Sequence, residues 1–322
     1  MMSQIPSGLV IASRGSKLAL RQVRIVADLV TARHPSVEIE VREVTTKGDR
    51  DGRAFSQIGG KGLFTSEVER EVGEGRADVA VHSAKDLTAE LAPGCAIVCV
   101  PQRASVHDVV VGGAGADGMD RLASLPSGGR VGTSSMRRRS LLAELRSDLE
   151  VVELRGNLDT RLAKVARGDV DAAILAAAGI ERLGADVSVG RLDESRWVPP
   201  PGQGALAIEA LADRDDLSEL FGSLTDEASM AEVTAERAFA ARLEGGCSVP
   251  LGCLARAAEG RLVIDGFLGG PDGTQSFRDR VSGGTNEAMD LGRELAEAIL
   301  HAGGDELLID LKEIDTPDVV EP

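Results

Sequence analysis

The chain has 322 residues, of which 43% are hydrophobic and only 2% aromatic, with no Tyr and a formal net charge of −16. That length accommodates two or three domains of about 150 residues, with cores packed from Ala, Val, Leu and Ile. So few aromatics leave almost no base-stacking platform, and so acidic a chain repels nucleic acid and anionic membranes; neither is expected as a partner.

Strand LVIAS (9–13) is followed by a helix over 16–34, where Leu18, Val23, Val26, Leu29 and Val30 fall near a 3.6-residue period. VEIEVREV (37–44) alternates as a strand, a helix is predicted over 64–74, and ADVAVHS (77–83) and CAIVCV (95–100) are further strands. A second set begins at DVVVGG (108–113). It continues through strand RVGTS (130–134), helix 135–146, strand LEVVEL (149–154), helix 157–167 and strand DAAILAA (171–177). Such alternation calls for α/β architecture, with mainly parallel sheets covered by helices on both faces. WVPPPGQG (197–204) breaks the pattern, and GALAIEAL (204–211) reads as one more buried strand. A long helix near 226–243 then leads into VPLGCLARA, RLVIDGFLGG and a weak strand near 275–282. Turn residues separate these strands as in an antiparallel meander, and a last helix falls near 286–301. This third segment reads as a small α+β domain.

No stretch approaches about 20 uninterrupted apolar residues, and MMSQIPSGLVIASRGS lacks the basic start and long apolar core of a signal peptide. A cytoplasmic location is expected, with Cys95, Cys99, Cys247 and Cys253 reduced. Without a C-x-x-C pair, and with four scattered His, the chain shows no zinc or redox pattern, and no metal is expected. GAGADG (113–118) has the letters of a dinucleotide fingerprint, but the helical stretch behind it is short, and Asp117 and Asp120 would face a pyrophosphate with like charge. GGKG (59–62) lacks the Ser or Thr that a P-loop needs.

VGTSSMRRRS (131–140) is better placed. Thr133, Ser134 and Ser135 sit between a strand end and a helix start, where a capping hydroxyl leaves backbone amides facing outward. Arg137 and Arg138 then occupy the first turn, where their charges oppose the helix dipole at about 0.5 kcal/mol each. They make sense with an anion present; the competing reading is a solvated basic face. Arg14 and Ser16 in SRGS, Arg155 and Arg161 around LRGN, and Arg182 after DAAILAA also follow strand ends. In open α/β sheets such loops converge on one crevice, and several guanidinium forks there suit a ligand with several carboxylates or phosphates. VHSAKD (81–86) ends another strand with Lys85 and Asp86. Asp86 among these cations suits pairing with a developing positive charge, or else a loop-stabilising backbone contact. Cys247 stands in a Gly-Gly turn, either reactive or a small buried hydrophobe. Cys95 and Cys99, four apart in one strand, are expected on one face in the core.

The blocks SRGSKLAL, TKGD, IGGKGLF, VHSAKD, VGTSSMRR, LRGNLDTRL, AAAGIERLG, PPGQGALAIE, TAERAF and RLEGGCSVPLG occur in that order along nearly the whole chain. In this the chain resembles the hydroxymethylbilane synthase (porphobilinogen deaminase) family. The resemblance implies two doubly wound lobes like those of periplasmic binding proteins and a small C-terminal α+β domain. They would span 1–104 with 203–223, then 105–202, then 224–322. It implies a transferase of tetrapyrrole (heme) biosynthesis, cytoplasmic and monomeric. Such an enzyme condenses four porphobilinogens head to tail on a covalent dipyrromethane cofactor, losing ammonia each time, and releases the linear tetrapyrrole by hydrolysis.

By the family's pattern the cofactor is joined through a thioether to Cys247, and Lys85, Thr133, Ser134, Ser135, Arg137 and Arg138 hold it. Arg14, Ser16, Arg155, Arg161 and Arg182 would hold the incoming ring and the growing chain. Asp86 would contact pyrrole NH groups and stabilise the cation left when ammonia departs, and Lys61 and Phe64 belong to a loop over the cleft. Three positions depart from the pattern: Gln57 stands for a common Lys, Thr88 for Pro, and His107 for Arg in RASVHD. These bear on rate and chain handling rather than on reaction class. A rival from another class is a non-catalytic two-lobed binding module for a small polycarboxylate, which has no need of the Gly-Gly-Cys turn or of a carboxylate among the arginines.

Overall fold

The computed structural model describes residues 5–50, 62, 65–243 and 249–315. Lys61, Phe64, Gln57 and Cys247 lie outside the described residues. In chain order the elements begin with β1 (Gly8–Arg14), α1 (Lys17–Arg33), β2 (Glu38–Val44), α2 (Ser66–Gly73), β3 (Val79–Ser83) and β4 (Cys95–Cys99). Next come β5 (Asp108–Gly112), α3 (Gly118–Ala123), β6 (Arg130–Gly132), α4 (Met136–Leu145), β7 (Glu150–Val152), α5 (Leu158–Ala166), β8 (Ala172–Ala176) and α6 (Ala177–Leu183). The last are β9 (Val189–Arg191), β10 (Leu206–Leu211), α7 (Asp215–Gly222), α8 (Glu227–Arg242), β11 (Leu251–Ala258), β12 (Arg261–Gly269), β13 (Ser276–Gly284), α9 (Ala288–Ile299) and α10 (Asp305–Asp315).

The contacts divide the chain into two compact units, and Met1–Val106, Ala177–Ala185 and Gly202–Val233 form the first. Its sheet runs β2-β1-β3-β10-β4, with β1 parallel to β2 and β3, and β10 antiparallel to both its neighbours. On one face Leu9, Ile11, Val79, Val81 and Ile208 pack with Val23, Val26 and Val30 of α1 and with Leu217, Leu220 and Phe221 of α7. On the other, Ala12 and Ala80 meet Val68 and Val72 of α2. Each fully buried Val or Leu contributes about 1.5–3 kcal/mol, so these two layers fix the sheet. Leu29 departs from the expected apolar stripe: it is 37% exposed, and Ala19 and Gln22 are buried instead.

Cys95 and Cys99 correct the one-face expectation. Cys99 belongs to the α1 side of the sheet, whereas Cys95 packs on the α2 side. The register of β10 on β4 shifts between Ile208 and Glu209, and this bulge reverses the alternation along β4.

The second unit comprises His107–Ala176, Asp186–Pro201 and Thr234–Pro322. Its larger sheet runs β7-β6-β8-β5-β9, again with parallel central strands and one reversed strand, β5, next to the edge. The two five-stranded sheets thus share one plan, each mainly parallel with a single reversed strand. The C-terminal meander β11-β12-β13 is antiparallel throughout. Helix α9 covers it so closely that a Cβ on Gly266 would lie 2.9 Å from Ile299 and 3.0 Å from Leu295. Past Gly303, whose φ of 110° breaks the helix, the chain forms α10, an element the hydropathy pattern did not reveal.

Candidate functional site

In the first unit β1 and β3 run parallel and adjacent, so their carboxyl ends open at the same edge of the sheet. There Ser13, Arg14, Ser16, Gln22, Thr65, His82, Ser83 and Asp86 line one cavity. Ser16 caps α1, its hydroxyl accepting from the Ala19 N–H at 3.3 Å. Gln22 Nε2 donates to Ser83 Oγ at 2.8 Å, tying helix to strand end. Beyond Ser83 a single turn, Ala84–Asp86, exposes both Lys85 and Asp86.

The PGQG segment braces that turn. Gly202 has φ +75°, and a Cβ there would come within 2.8 Å of the Ala84 and Lys85 backbone. Gln203 is fully buried: its Oε1 accepts from Lys85 Nζ at 3.3 Å and its Nε2 donates to the Val106 carbonyl at 2.8 Å. Arg182 Nη2 donates to the Gly204 carbonyl at 2.7 Å. Burial pushes the Arg182 guanidinium down to about 10, against the opposing pull of Glu181. Arg14, Ser16, Lys85, Asp86 and Arg182 therefore all belong to this unit.

The second unit holds the remaining arginines. At the end of β6, Thr133 Oγ1 accepts from the Ser135 N–H at 3.1 Å, Ser134 Oγ donates to the Leu154 carbonyl at 2.9 Å, and Ser135 caps α4 by accepting from the Arg138 N–H at 3.4 Å. Arg137 and Arg138 do not extend into solvent: they are 3% and 7% exposed, and both pair with Asp108. Asp108 accepts from Arg137 Nη2 at 2.6 Å, from Arg138 Nη2 at 2.6 Å and Nε at 3.1 Å, and from Trp197 Nε1 at 2.8 Å. Burial alone would raise the Asp108 carboxyl, but the two guanidiniums outweigh it and hold it far below the carboxylate range. Burial pulls the Arg137 guanidinium down, and Asp108 opposes that pull. Arg155 Nε pairs with Glu153 at 2.6 Å, and Arg161 Nε donates to the Gly156 carbonyl at 2.8 Å.

Two guanidiniums against one carboxylate leave this cluster with one surplus positive charge. It lies in the first turn of α4, which carries no acidic residue and adds the positive end of its own dipole. Arg137 Nε is buried without a hydrogen-bond partner among the described residues. A surplus cation, a capped helix N-terminus and a spare buried donor suit a ligand bearing carboxylates. Sequence reasoning missed Asp108, Trp197, Gln203 and the pair His82–Glu209, whose Nε2 and Oε2 lie 3.0 Å apart. The one available signal was a polar side chain inside otherwise apolar strands, as in DVVVG and LAIEAL.

Fold and site define an α/β protein with strand-end arginines suited to a polycarboxylate. A family model described as porphobilinogen deaminase, dipyrromethane cofactor binding domain, matches residues 9–219, and one described as porphobilinogen deaminase, C-terminal domain, matches 230–301. The porphobilinogen deaminase of Roseiflexus sp. (strain RS-1) is 44% identical over 302 residues, 93% of this chain and 98% of the relative. That of Syntrophus aciditrophicus (strain SB) is 41% identical over 305 residues, 94% and 98% of the two chains. Among solved structures, the methionine binding protein MetQ aligns over 68% of this chain and 90% of its own, at 10% identity and a TM-score of 0.42. The chain belongs to the porphobilinogen deaminase (hydroxymethylbilane synthase) family. It is a transferase of tetrapyrrole biosynthesis with a dipyrromethane cofactor, and porphobilinogen is the family's substrate.

Proposed function

We propose that this chain acts as a monomeric cytoplasmic hydroxymethylbilane synthase, with Asp86 as its catalytic carboxylate and Cys247 as the cofactor attachment point. Its functional division is three domains: 1–104 with 203–223, 105–202, and 224–322. The observation that carries the reading is the cavity that gathers Arg14, Ser16 and Asp86 at the carboxyl ends of two parallel strands. When bound, dipyrromethane supplies the pyrrole carbon on which the chain grows and a tether that keeps every elongation step on one molecule.

The chain's own residues do the rest. Arg14 and Ser16 bind the carboxylates of the incoming porphobilinogen. Asp86 accepts hydrogen bonds from pyrrole N–H groups and places negative charge where positive charge develops as the carbon–nitrogen bond of the aminomethyl group breaks. Lys85, Thr133, Ser134, Ser135, Arg137 and Arg138 hold the cofactor's acetate and propionate groups, the last two as donors already fixed by Asp108. Arg155, Arg161 and Arg182 take carboxylates of the growing chain.

Intact mass tests the reading. The purified protein should exceed its sequence mass by one dipyrromethane unit. Asp86→Glu should keep that mass and turn over at least about 10²-fold more slowly, and Cys247→Ser should lose the added mass. Wild-type turnover by Asp86→Glu overturns the role given to Asp86. An unmodified mass in protein from cells that make porphobilinogen favours the polycarboxylate-binding module instead.

A further inference from the structure

The strand-end turn that carries Lys85 and Asp86 rests on a neutral side chain. Gln203 is 0% exposed and uses both ends of its amide inside the first unit: Oε1 accepts from Lys85 Nζ at 3.3 Å, and Nε2 donates to the Val106 carbonyl at 2.8 Å. The backbone around it is held as firmly. Arg103 Nε donates to the Gln203 carbonyl at 2.8 Å, and the Gly204 carbonyl accepts from Arg182 Nη2 at 2.7 Å and from the Ala104 N–H at 3.1 Å. The Ala84 N–H donates to the Ala205 carbonyl at 3.0 Å, joining the turn to the same segment. An ammonium group only donates and a carbonyl only accepts, so the two partners agree on a single orientation of the amide, with its oxygen aimed at Lys85.

An amide at this position differs in one respect from a carboxylate of the same shape. Arg103, whose side chain is 5% exposed, is matched with a carboxylate, Glu232, at 3.2 Å, as a buried guanidinium requires. Lys85 is exposed at the strand end, and Gln203 offers it the oxygen of an uncharged group. That bond orients the ammonium and leaves its positive charge to act on another partner. A carboxylate in the same place would hold Lys85 as well but would cancel the charge.

We propose that Gln203 is a positioning residue for cofactor capture: its amide fixes the Lys85 ammonium at the strand end without neutralising it, ready for a carboxylate of dipyrromethane. This rests on the assignment of Lys85 to the cofactor's carboxylates. The gain is entropic as well as electrostatic. A lysine has a long flexible stem whose rotamer freedom is lost when the head group binds, and a stem already held loses less. Because Gln203 is itself tied to Val106 and its backbone to Arg103, the acceptor does not move with the side chain that it orients.

The rate of cofactor assembly tests this. The full-length protein is made in cells lacking porphobilinogen and then given it, and intact mass follows the gain of dipyrromethane at a temperature well below the melting transition of every variant. Gln203→Met keeps the length of the side chain and removes both hydrogen bonds, and it should assemble about 2- to 10-fold more slowly than wild type. Gln203→Glu keeps the shape and sets a carboxylate on Lys85, and it should assemble about 10- to 100-fold more slowly. Both variants leave the Val106 carbonyl without its donor, so the difference between them reports the charge. A merely structural role would lower the melting temperatures and leave both assembly rates at the wild-type value. Wild-type assembly by Gln203→Met overturns the proposal, and so does a Gln203→Glu that assembles as fast as Gln203→Met. Lys85→Gln should be at least as slow as Gln203→Glu. A wild-type rate there removes Lys85 from the cofactor's grip and the proposal with it, whereas slow assembly by Lys85→Gln beside unaffected Gln203 variants overturns the proposal alone.

Discussion

Asp108→Asn is the most informative single change in the second unit. The substitution preserves shape but removes the one charge that both Arg137 and Arg138 contact, at 2.6 Å each, in a site where the Asp108 side chain is 0% exposed. Removing one partner from a buried pair costs about 3–5 kcal/mol, because the remaining charge stays buried without compensation. Two guanidiniums would be stranded here, so the upper end of that range applies. For a body of this size about 5 kcal/mol lowers the melting temperature by roughly 10–20 °C. The single Trp, Trp197, donates to Asp108 and lies in the same unit, so its fluorescence follows the transition directly.

The sign of the pH dependence follows from the depressed Asp108 carboxyl. A group whose native value lies below its unfolded value of about 3.9 contributes stability that is complete above the unfolded value and lost as pH falls through the native one. The gap between wild type and variant should therefore be the same at pH 7 and pH 5 and shrink only in stronger acid. A variant melting within 2 °C (order of one kcal/mol or less) of wild type at pH 7, with unchanged Trp emission, would refute the assignment of Asp108 as the counter-charge.

Two further changes probe the first unit. Gly202→Ala places a Cβ 2.8 Å from the Ala84–Lys85 backbone at φ +75°, so it should destabilise by about 2 kcal/mol and slow turnover by shifting the turn that carries Asp86; a melting curve and kcat check both, and unchanged values would show the brace to be dispensable. Burial pushes the Cys95 and Cys99 thiols up to about 12 and about 11. At pH 8 the thiolate fraction of Cys95 is about one in ten thousand, so peptide mapping after brief iodoacetamide treatment of native protein should find neither residue alkylated. Prompt modification of Cys95 would show the strand to be open to solvent.

Local sequence placed most of the strands and the longer helices, though not β9, α6, α7 or α10, because an apolar repeat of two or 3.6 residues records the face each element buries. It also placed Ser16 and Ser135 at helix starts, since a cap is decided by the few residues around it, and it brought the arginines to strand ends. What it could not decide is what those arginines touch. Arg137 and Arg138 read as groups facing a ligand, yet they are held by Asp108, about thirty residues earlier in the chain, because β5 runs antiparallel beside β8 and places that carboxylate next to the first turn of α4. His82 and Glu209 lie far apart in sequence, and only the pairing of β3 with β10 makes them neighbours. The faces of Cys95 and Cys99 were likewise settled by a bulge that no local pattern encodes. Propensity and capping act over a few residues; the partner of a buried charge is chosen by strand pairing across the whole chain.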